Sequence, residues 1–384
     1  MTGPDGVDVA VVGLRFGEQF LPIYLSHPHV RSVAIVDTSA DRLREVGDRH
    51  GVRHRYRSFD DVLADERWQA VHILTPVALH ADYALAALAA GKHCACAVPM
   101  ATELADLEAI VAAQRRTGTV YMMMETAVFG REYLLADQLR RTGRLGELIL
   151  YRGYHVQNLD GHPEYWRGYP PMKYSTHALS PALALTGRTV AEVTAYGSGR
   201  LTDDRLGEKG NPYPAEVGLF RLRDSDLVAQ VTVSFFQTAR PTVEGFSVYG
   251  DRGSFEWSGA EGDPVMLFEE TSTATGGSDG RRHGTDLAVT QLYAPDRDDR
   301  LPAEVTPYLR PHQLVPHDGG GPVVVPAAHG GSHPHLVHEF VSSIVEHRPP
   351  AVDTATAAAW TAPGICAHES ALAGGKPVQV PSYA

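Results

Sequence analysis

Two segments near the N-terminus carry the residues that hold a dinucleotide. The apolar run 7–12 leads into Gly13-Leu14-Arg15-Phe16-Gly17, and the apolar run 30–36 leads into Asp37. A glycine turn between strand and helix binds pyrophosphate through backbone N–H groups. A carboxylate after the next strand accepts hydrogen bonds from the ribose of NAD and repels the 2′-phosphate of NADP.

The turn departs from the usual pattern, because Arg15 stands where the second glycine is expected. Its side chain must point away from the pyrophosphate or lie over it as a counter-charge. We predict NAD contacts at Gly13, Arg15, Phe16, Gly17 and Asp37. The alternative is a plain turn of a doubly wound sheet that holds no nucleotide.

A second group of polar and aromatic side chains lies in the middle of the chain. Residues 155–167 include His155, Asn158 and Tyr165, a mixture that suits a ligand rich in hydroxyls, because aromatic faces cover sugar C–H surfaces. Arg240 or Glu244, on either side of Pro241, and His333 are further candidates for substrate contacts. The alternatives are an ordinary polar loop and a capping role for His333. No histidine spacing indicates a metal site.

The order of apolar segments predicts two domains. In residues 1–127, short apolar strands alternate with helical segments, which is typical of a doubly wound parallel sheet, that is, a Rossmann α/β domain. Glu125 ends the last of these strands and is expected at the carboxyl edge, where ligands bind. Residues 128–384 predict an α+β domain with a largely antiparallel open sheet, interrupted by a long irregular insertion at 259–332.

Composition excludes several classes of function. The 384 residues carry 34 Lys and Arg against 46 Asp and Glu, a net charge of −12, which argues against nucleic acid or an anionic membrane as partner. Three cysteines give no disulfide framework, and no apolar run is long enough to span a bilayer. We therefore expect a cytoplasmic protein with no membrane segment.

Several short motifs, in order along the chain, resemble the Gfo/Idh/MocA oxidoreductases, the family of glucose–fructose oxidoreductase and inositol dehydrogenase. The matching residues are Thr75-Pro76-Val77-Ala78-Leu79-His80-Ala81, 86–93, Gly143-Arg144-Leu145-Gly146-Glu147, Trp166-Arg167, His177, Tyr249-Gly250-Asp251-Arg252-Gly253 and 374–378. The resemblance implies a nicotinamide at the junction of a Rossmann domain and an open-sheet domain that serves oligomerisation. It also implies cofactor contacts from Thr75, Pro76, His80, Val98, Glu125, Trp166 and Arg167.

The chain departs from the family at the catalytic lysine. The family usually has Glu-Lys-Pro after the fifth strand, whereas this chain has Ala97-Val98-Pro99. His177 keeps the family's histidine position, and Lys173 occupies the place of an aspartate. Hydride transfer from an alcohol needs a base for the hydroxyl proton. We predict that Lys173 and His177, one turn apart on a helix that starts at Pro170-Pro171, polarise the substrate oxygen and relay its proton.

Tyr174 is the other candidate base, and a surface lysine beside a packed histidine is the alternative to this catalytic role. The expected function is NAD-dependent oxidation of a hydroxyl in a sugar, polyol or glycoside. An oxidoreductive glycosidase, which oxidises C3, eliminates the aglycone, adds water and returns the hydride, is a close alternative. A non-catalytic NAD-binding sensor is the third. A homo-oligomer, dimer or tetramer, is expected.

Overall fold

A computed structural model describes residues 6–260, 262–272, 286–327 and 329–383. The predicted irregular insertion at 259–332 therefore falls in part, at 261, 273–285 and 328, outside the described residues.

The N-terminal part forms a six-stranded parallel sheet with the strand order β3-β2-β1-β4-β5-β6. Its strands are β1 (Val7–Val12), β2 (Val30–Val36), β3 (His54–Tyr56), β4 (Ala70–Ile73), β5 (His93–Cys96) and β6 (Tyr121–Met123). Its helices are α1 (Leu14–Gly17), α2 (Leu21–Ser26), α3 (Ala40–Arg49), α4 (Phe59–Ala64), α5 (His80–Ala89) and α6 (Leu104–Thr117). The order reverses between β1 and β4, so their carboxyl ends flank the crevice in which such sheets bind ligands.

The next elements are one helix, a run of strands and the helix α8 that covers them. They are α7 (Arg131–Arg141), β7 (Leu148–Val156), α8 (Thr176–Thr186), β8 (Val190–Ser198), β9 (Ala215–Leu222), β10 (Val228–Ser234), β11 (Val243–Gly250), β12 (Gly253–Glu256), β13 (Val265–Ser272) and β14 (Asp286–Leu292). The last are β15 (His312–Leu314), β16 (Val323–Val325), α9 (Ser332–Val345), α10 (Thr354–Leu372) and β17 (Val378–Gln379).

The second sheet has nine strands in the order β14-β13-β12-β11-β7-β10-β9-β8-β17. Every pairing is antiparallel except that of β7 with β10, which is parallel. The predicted fold class, a Rossmann sheet followed by a largely antiparallel open sheet, is confirmed. Helix α8 packs directly on β7 at Gly153, where any side chain would collide with the Ala178 carbonyl.

The prediction that residues 259–332 are irregular is wrong over β13, β14, β15 and β16. Strands β13 and β14 lie within this stretch and extend the nine-stranded sheet. The stretch was predicted to be irregular because Gly, Pro, Asp and Thr dominate its composition. The strand signal of Leu267 and Phe268 is short, and the paired edge strand β14 exposes its apolar side chains Leu287 and Val289.

The chain divides into two compact units. The first comprises Met1–Phe129, Asp296–Ala362 and Ser382–Ala384, and the second comprises Gly130–Pro295 and Pro363–Pro381. Residues 296–362, which the sequence prediction placed in the second domain, thus belong to the first unit. Leu336 and Phe340 of α9 explain this grouping, because they are fully buried in the same apolar cluster as Val9 and Val11 of β1. No helix in the described part of the chain is long and apolar enough to cross a membrane.

Candidate active site

The turn after β1 has the geometry that the dinucleotide prediction requires. Gly13 has a φ of 91°, and a Cβ there would lie 2.6 Å from the Leu74 carbonyl oxygen, so only glycine fits. A Cβ at Gly17 would lie 2.9 Å from Val11 Cγ1. The absence of a side chain at Gly17 therefore allows the helical segment to lie close to β1. The helical segment begins at Leu14 and runs to Ser26 in three short pieces. Arg15 is exposed and Phe16 is half-buried.

Asp37 lies beside this turn at the end of β2. Its Oδ2 accepts the Leu14 N–H at 3.0 Å, and its Oδ1 accepts the Ser39 N–H at 2.9 Å. Arg42 Nε lies 3.9 Å from Oδ2. Two backbone N–H groups thus orient the carboxylate, and each oxygen keeps a lone pair for a further donor such as a ribose hydroxyl.

The residues after β4 and β5 form the other side of this crevice. The His80 ring nitrogens lie 2.8 Å from the Pro99 carbonyl oxygen and 3.1 Å from that of Thr75, so the ring ties the two loops together. Burial lowers the pKa of His80, against the opposite effect of these two backbone contacts. The Thr75 hydroxyl is buried and has no hydrogen-bond partner among the described residues. His80 therefore positions the crevice, and Thr75 offers it a donor.

The other predicted cofactor residues of the first unit lie near the ends of β4, β5 and β6. Pro76 is half-buried, Val98 is 5% exposed, and Glu125 is fully buried with Oε1 accepting the Ala127 N–H at 2.9 Å. Val98 presents an apolar side chain just after β5.

His333 belongs to the first unit, next to the predicted cofactor turn. Its ring stacks on Phe20 at 4.2 Å between centroids and meets Phe16 edge-on at 5.8 Å. Burial lowers the pKa of His333 well below its ordinary value. The ring centroid of His329 lies 5.9 Å from that of Phe16. The sequence analysis grouped His333 with the substrate loop, whereas its neighbours here are the aromatic residues of the glycine turn.

The second unit gathers two histidines around one carboxylate. His155 on β7 and Glu244 on β11 are register partners, with His155 Nε2 3.6 Å from Glu244 Oε1. His177 Nδ1 lies 3.9 Å from Glu244 Oε2. The two imidazole rings are 5.4 Å apart, and both are almost fully buried. Glu244 therefore faces one imidazole with each oxygen and can stabilise positive charge on either.

Tyr174 completes this group, which we call the histidine–carboxylate cluster (His155, Tyr174, His177 and Glu244). Its ring centroid lies 5.3 Å from that of His177 and 5.9 Å from that of His155. The single helix predicted from Pro170 is wrong in detail: Pro171–Tyr174 form a 3₁₀ turn, and α8 begins at Thr176. Lys173 lies in this turn and is half-buried.

An aromatic loop borders the cluster. Trp166 lies 5.4 Å from Tyr174 and 5.5 Å from Tyr165 between ring centroids. The loop is fixed from the segment after β8, where Arg205 donates to both oxygens of Asp160 at 2.8 and 2.7 Å. Asp160, a polar residue of the 155–167 segment, is thus paired with Arg205.

Three predicted residues of the second unit lie at the surface instead. Asn158, Arg167 and Arg240 are exposed. Asn158 Oδ1 accepts the Asp160 N–H at 3.1 Å, and Arg167 pairs with Glu164 at 3.0 Å. Of the two residues that flank Pro241, the structure brings Glu244 into the cluster. No group of three or more His, Cys, Asp or Glu in the described ranges is arranged to hold a metal ion.

Comparison with known proteins agrees with the geometry of the first unit. Residues 7–125 match the model of the Gfo/Idh/MocA family, described as an oxidoreductase family with an NAD-binding Rossmann fold. Residues 7–125 of this chain are thus similar to the NAD-binding domain of the Gfo/Idh/MocA oxidoreductases.

Two curated relatives illustrate how far the likeness reaches. An uncharacterized oxidoreductase of Rhizobium meliloti, ORF334, is 33% identical over 147 residues, which cover 37% of this chain and 43% of that protein. The match thus spans less than half of that relative. A glycosyl hydrolase family 109 protein of Streptomyces niveus is 23% identical over 418 aligned positions, covering 98% of this chain and 77% of that protein.

A solved structure extends the likeness beyond the N-terminal unit. Levoglucosan dehydrogenase, in complex with NADH and levoglucosan, superposes with a TM-score of 0.75 at 21% identity. The superposition covers 98% of this chain and 100% of that chain. At this identity, the likeness establishes the fold.

Proposed function

We propose that this protein is an NAD-dependent oxidoreductase that acts on a hydroxyl group of a sugar, polyol or glycoside. The observation that carries the proposal is the histidine–carboxylate cluster beside Lys173, in a chain whose residues 7–125 match an NAD-binding family. Relatives of the family named for carbohydrate substrates, such as levoglucosan dehydrogenase, support the substrate class.

The first unit supplies the residues that suit NAD. The turn at Gly13 leaves no room for a side chain, Asp37 holds a carboxylate beside it, and the buried Thr75 hydroxyl lacks a protein partner among the described residues. Bound NAD supplies the hydride acceptor. Asp37 favours NAD over NADP, because its charge repels a 2′-phosphate.

The second unit supplies the groups that move the proton. Oxidation of an alcohol removes a hydride from carbon and a proton from oxygen, and the C–O bond becomes a carbonyl. His177 accepts the hydroxyl proton, with Tyr174 as the alternative base, and Glu244 stabilises the imidazolium that results. Lys173 polarises the same oxygen. In this way Lys173 takes over the role of the family's lysine, whose position Val98 occupies.

The aromatic loop suits the rest of a carbohydrate. Trp166 and Tyr165 are half-buried, and aromatic faces of this kind cover the C–H surface of a sugar ring. Arg205 fixes the loop through Asp160, so the aromatic side chains need little ordering when a ligand binds.

The second candidate function is an oxidoreductive glycosidase. A base first takes the C3 hydroxyl proton while the C3 hydride goes to NAD, and the resulting ketone acidifies C2–H. A base removes that proton, the aglycone leaves with the C1–O electron pair, water adds, and the hydride returns to C3. The observation that favours this reading is the presence of two imidazoles on one carboxylate together with Tyr174. A simple dehydrogenase needs only one base.

A paired assay separates the candidates. Purified protein and NAD are incubated with panels of free sugars, polyols and chromogenic glycosides, and NADH absorbance and aglycone release are followed together. We expect NADH to accumulate with at least one intact substrate. Aglycone release that requires NAD but gives no net NADH supports the glycosidase. Tight NAD binding with neither signal across the panel contradicts both and indicates a non-catalytic sensor.

A further inference from the structure

A fully buried carboxylate lies outside the cluster, on strand β9. Glu216 is 0% exposed, and both of its oxygens are used. Oε2 accepts the Met172 N–H at 2.7 Å, and Oε1 lies 2.7 Å from His368 Nδ1 on α10. Burial of a carboxylate is costly unless hydrogen bonds replace its hydration. The contacts with Met172 and His368 replace this hydration, and Met172 is the residue before Lys173.

The turn that Glu216 contacts is weak by itself. Pro171–Tyr174 form a 3₁₀ turn of four residues, and the first N–H groups of any helical turn have no partner within it. The Met172 N–H is one of these groups, and Glu216 accepts its hydrogen bond. The Met172 side chain is fully buried. Glu216 thus holds the backbone of the turn from which Lys173 and Tyr174 project.

Helix α10 supports the same turn from another side. Any side chain at Gly364 would collide with the Met172 carbonyl, and its Cβ would also lie 2.6 Å from Ser175 Oγ. His368 follows one helical turn later and so lies on the same face of α10. It is 5% exposed and holds the other oxygen of Glu216. One face of α10 therefore contacts the turn directly and also through Glu216.

We propose that Glu216 is a positioning residue for the proton-transfer step, and that its carboxylate fixes the 171–174 turn between β9 and α10. The proposal rests on the proposed function, because the turn carries Lys173 and Tyr174. Loss of the carboxylate releases the Met172 N–H, and the turn then moves relative to His177 at the start of α8. NAD binding is expected to change little, because the glycine turn and Asp37 belong to the first unit, whereas Glu216 belongs to the second.

The test compares two substitutions at Glu216 with one at His368. Glu216→Met keeps the length of the side chain and removes both acceptors. Glu216→Gln retains one acceptor for the Met172 N–H and an amide that can donate to His368 Nδ1. His368→Gln is a milder change on the other side of the carboxylate. Glu269 lies on β13 of the same unit and pairs with Arg144. Glu269→Gln removes this carboxylate and serves as the matched control.

Three quantities are measured: backbone hydrogen exchange over residues 170–176, the pH profile of kcat/KM, and the Kd for NAD. In Glu216→Met we expect exchange to rise about tenfold to a hundredfold, as loss of a buried acceptor implies. We also expect kcat to fall at least about tenfold and the pH of half-maximal kcat/KM to move by roughly half a unit or more. For Glu216→Gln and His368→Gln, we expect hydrogen exchange, kcat and the pH profile to be intermediate between those of Glu216→Met and the wild type. Glu269→Gln resembles the wild type.

The pH profile separates positioning from loss of folded protein, because a smaller folded fraction lowers the profile without moving it. Unchanged exchange over 170–176 in Glu216→Met overturns the proposal, as does faster exchange with a wild-type pH profile and kcat. If Glu216→Met does not fold, Glu216→Gln and His368→Gln are judged by the same criteria. If the wild type turns over no substrate, the proposed function fails, and the exchange data alone decide whether Glu216 fixes the turn.

Discussion

Glu244 places one carboxylate oxygen 3.6 Å from His155 and the other 3.9 Å from His177. Lys173, Tyr174 and His177 lie within five residues of one another, so the sequence alone was enough to name them as candidates. Glu244 comes from a distant strand, and only the register of β11 against β7 brings it opposite His155. The sequence therefore indicated Arg240 and Glu244 equally, and sheet pairing decides between them.

Lys173 gives the first prediction at the residue scale. Lys173→Met removes the cation proposed to polarise the substrate oxygen while keeping an apolar stem of similar length. We expect kcat to fall roughly a hundredfold or more, with the Kd for NAD within about twofold of the wild type. Steady-state kinetics and NAD titration measure both. Lys376→Met, at a lysine outside the site, is the control, and near-normal turnover of Lys173→Met would show that Lys173 has no catalytic role.

Glu244 gives the second prediction. Glu244→Gln keeps the shape of the side chain and removes the charge that stabilises an imidazolium on His155 or His177. We expect kcat to fall roughly tenfold to a hundredfold, because a general base loses efficiency when its protonated form is not stabilised. Glu256→Gln on β12 is the matched control in the same sheet. A wild-type kcat in Glu244→Gln would contradict the role of the carboxylate.

At the scale of elements, the buried parallel strands were the most predictable part of the fold. All six residues of β1 are buried, and its Val and Ala residues, interrupted only by Asp8, leave little ambiguity. Strand β3 (His54–Tyr56) was not predicted, because three residues with polar side chains give no periodic signal. Helix α4 has only six residues and was not predicted either. Strands β13 and β14 were missed for a related reason, since pairing with neighbouring strands, and not apolar content, maintains the edge of a sheet.

The packing of β4 against α9 predicts a pH dependence of stability. Burial lowers the pKa of His72 on β4 to about 3, and it also lowers that of His333 on α9. Below about pH 6.5, the unfolded chain binds protons that the folded chain does not bind. Stability is therefore complete above that pH and is lost as the pH falls. His72 alone contributes a loss of about 1.4 kcal/mol for each pH unit below about 6.5.

Urea unfolding at about pH 7.5 and about pH 5.5 measures this dependence. His72→Asn can still hydrogen-bond Tyr24, whose hydroxyl lies 3.1 Å from His72 Nδ1, and it does not titrate in this range. We expect this variant to lose less stability on acidification than the wild type. His54→Asn, at a half-exposed histidine, is the control. Equal losses in the wild type and His72→Asn would contradict the prediction.

At the scale of the whole molecule, most of the predicted cofactor residues belong to the first unit, whereas Trp166, Arg167 and the proposed proton-transfer groups belong to the second. The second unit also has an apolar face that α8 does not cover. Strand register places four apolar side chains on the face opposite α8. Their exposed fractions are 39% for Leu150, 57% for Tyr196, 50% for Leu219 and 57% for Val289. Exposed apolar faces of this kind mark contacts between proteins.

The fourth prediction concerns the oligomer. Light scattering coupled to size-exclusion chromatography should give the mass of a dimer or a tetramer of the 41.6 kDa chain. Leu219→Lys combined with Leu150→Lys should shift the mass toward the monomer while the Kd for NAD stays unchanged. Leu206→Lys, at an exposed leucine outside the sheet, is the control. A monomeric wild type would contradict the prediction.

Transfer of deuterium tests the central proposal most directly, because deuterium on the nicotinamide can come only from a C–D bond of the substrate. Protein and NAD are incubated with sugars, polyols and glycosides that carry deuterium on their ring carbons, and the recovered cofactor is analysed by mass spectrometry. We expect deuterium on the nicotinamide in the wild type and strongly reduced labelling in Lys173→Met. An unlabelled cofactor across the panel, from protein shown to bind NAD, would contradict the proposal that this protein is a dehydrogenase that releases an oxidised carbohydrate.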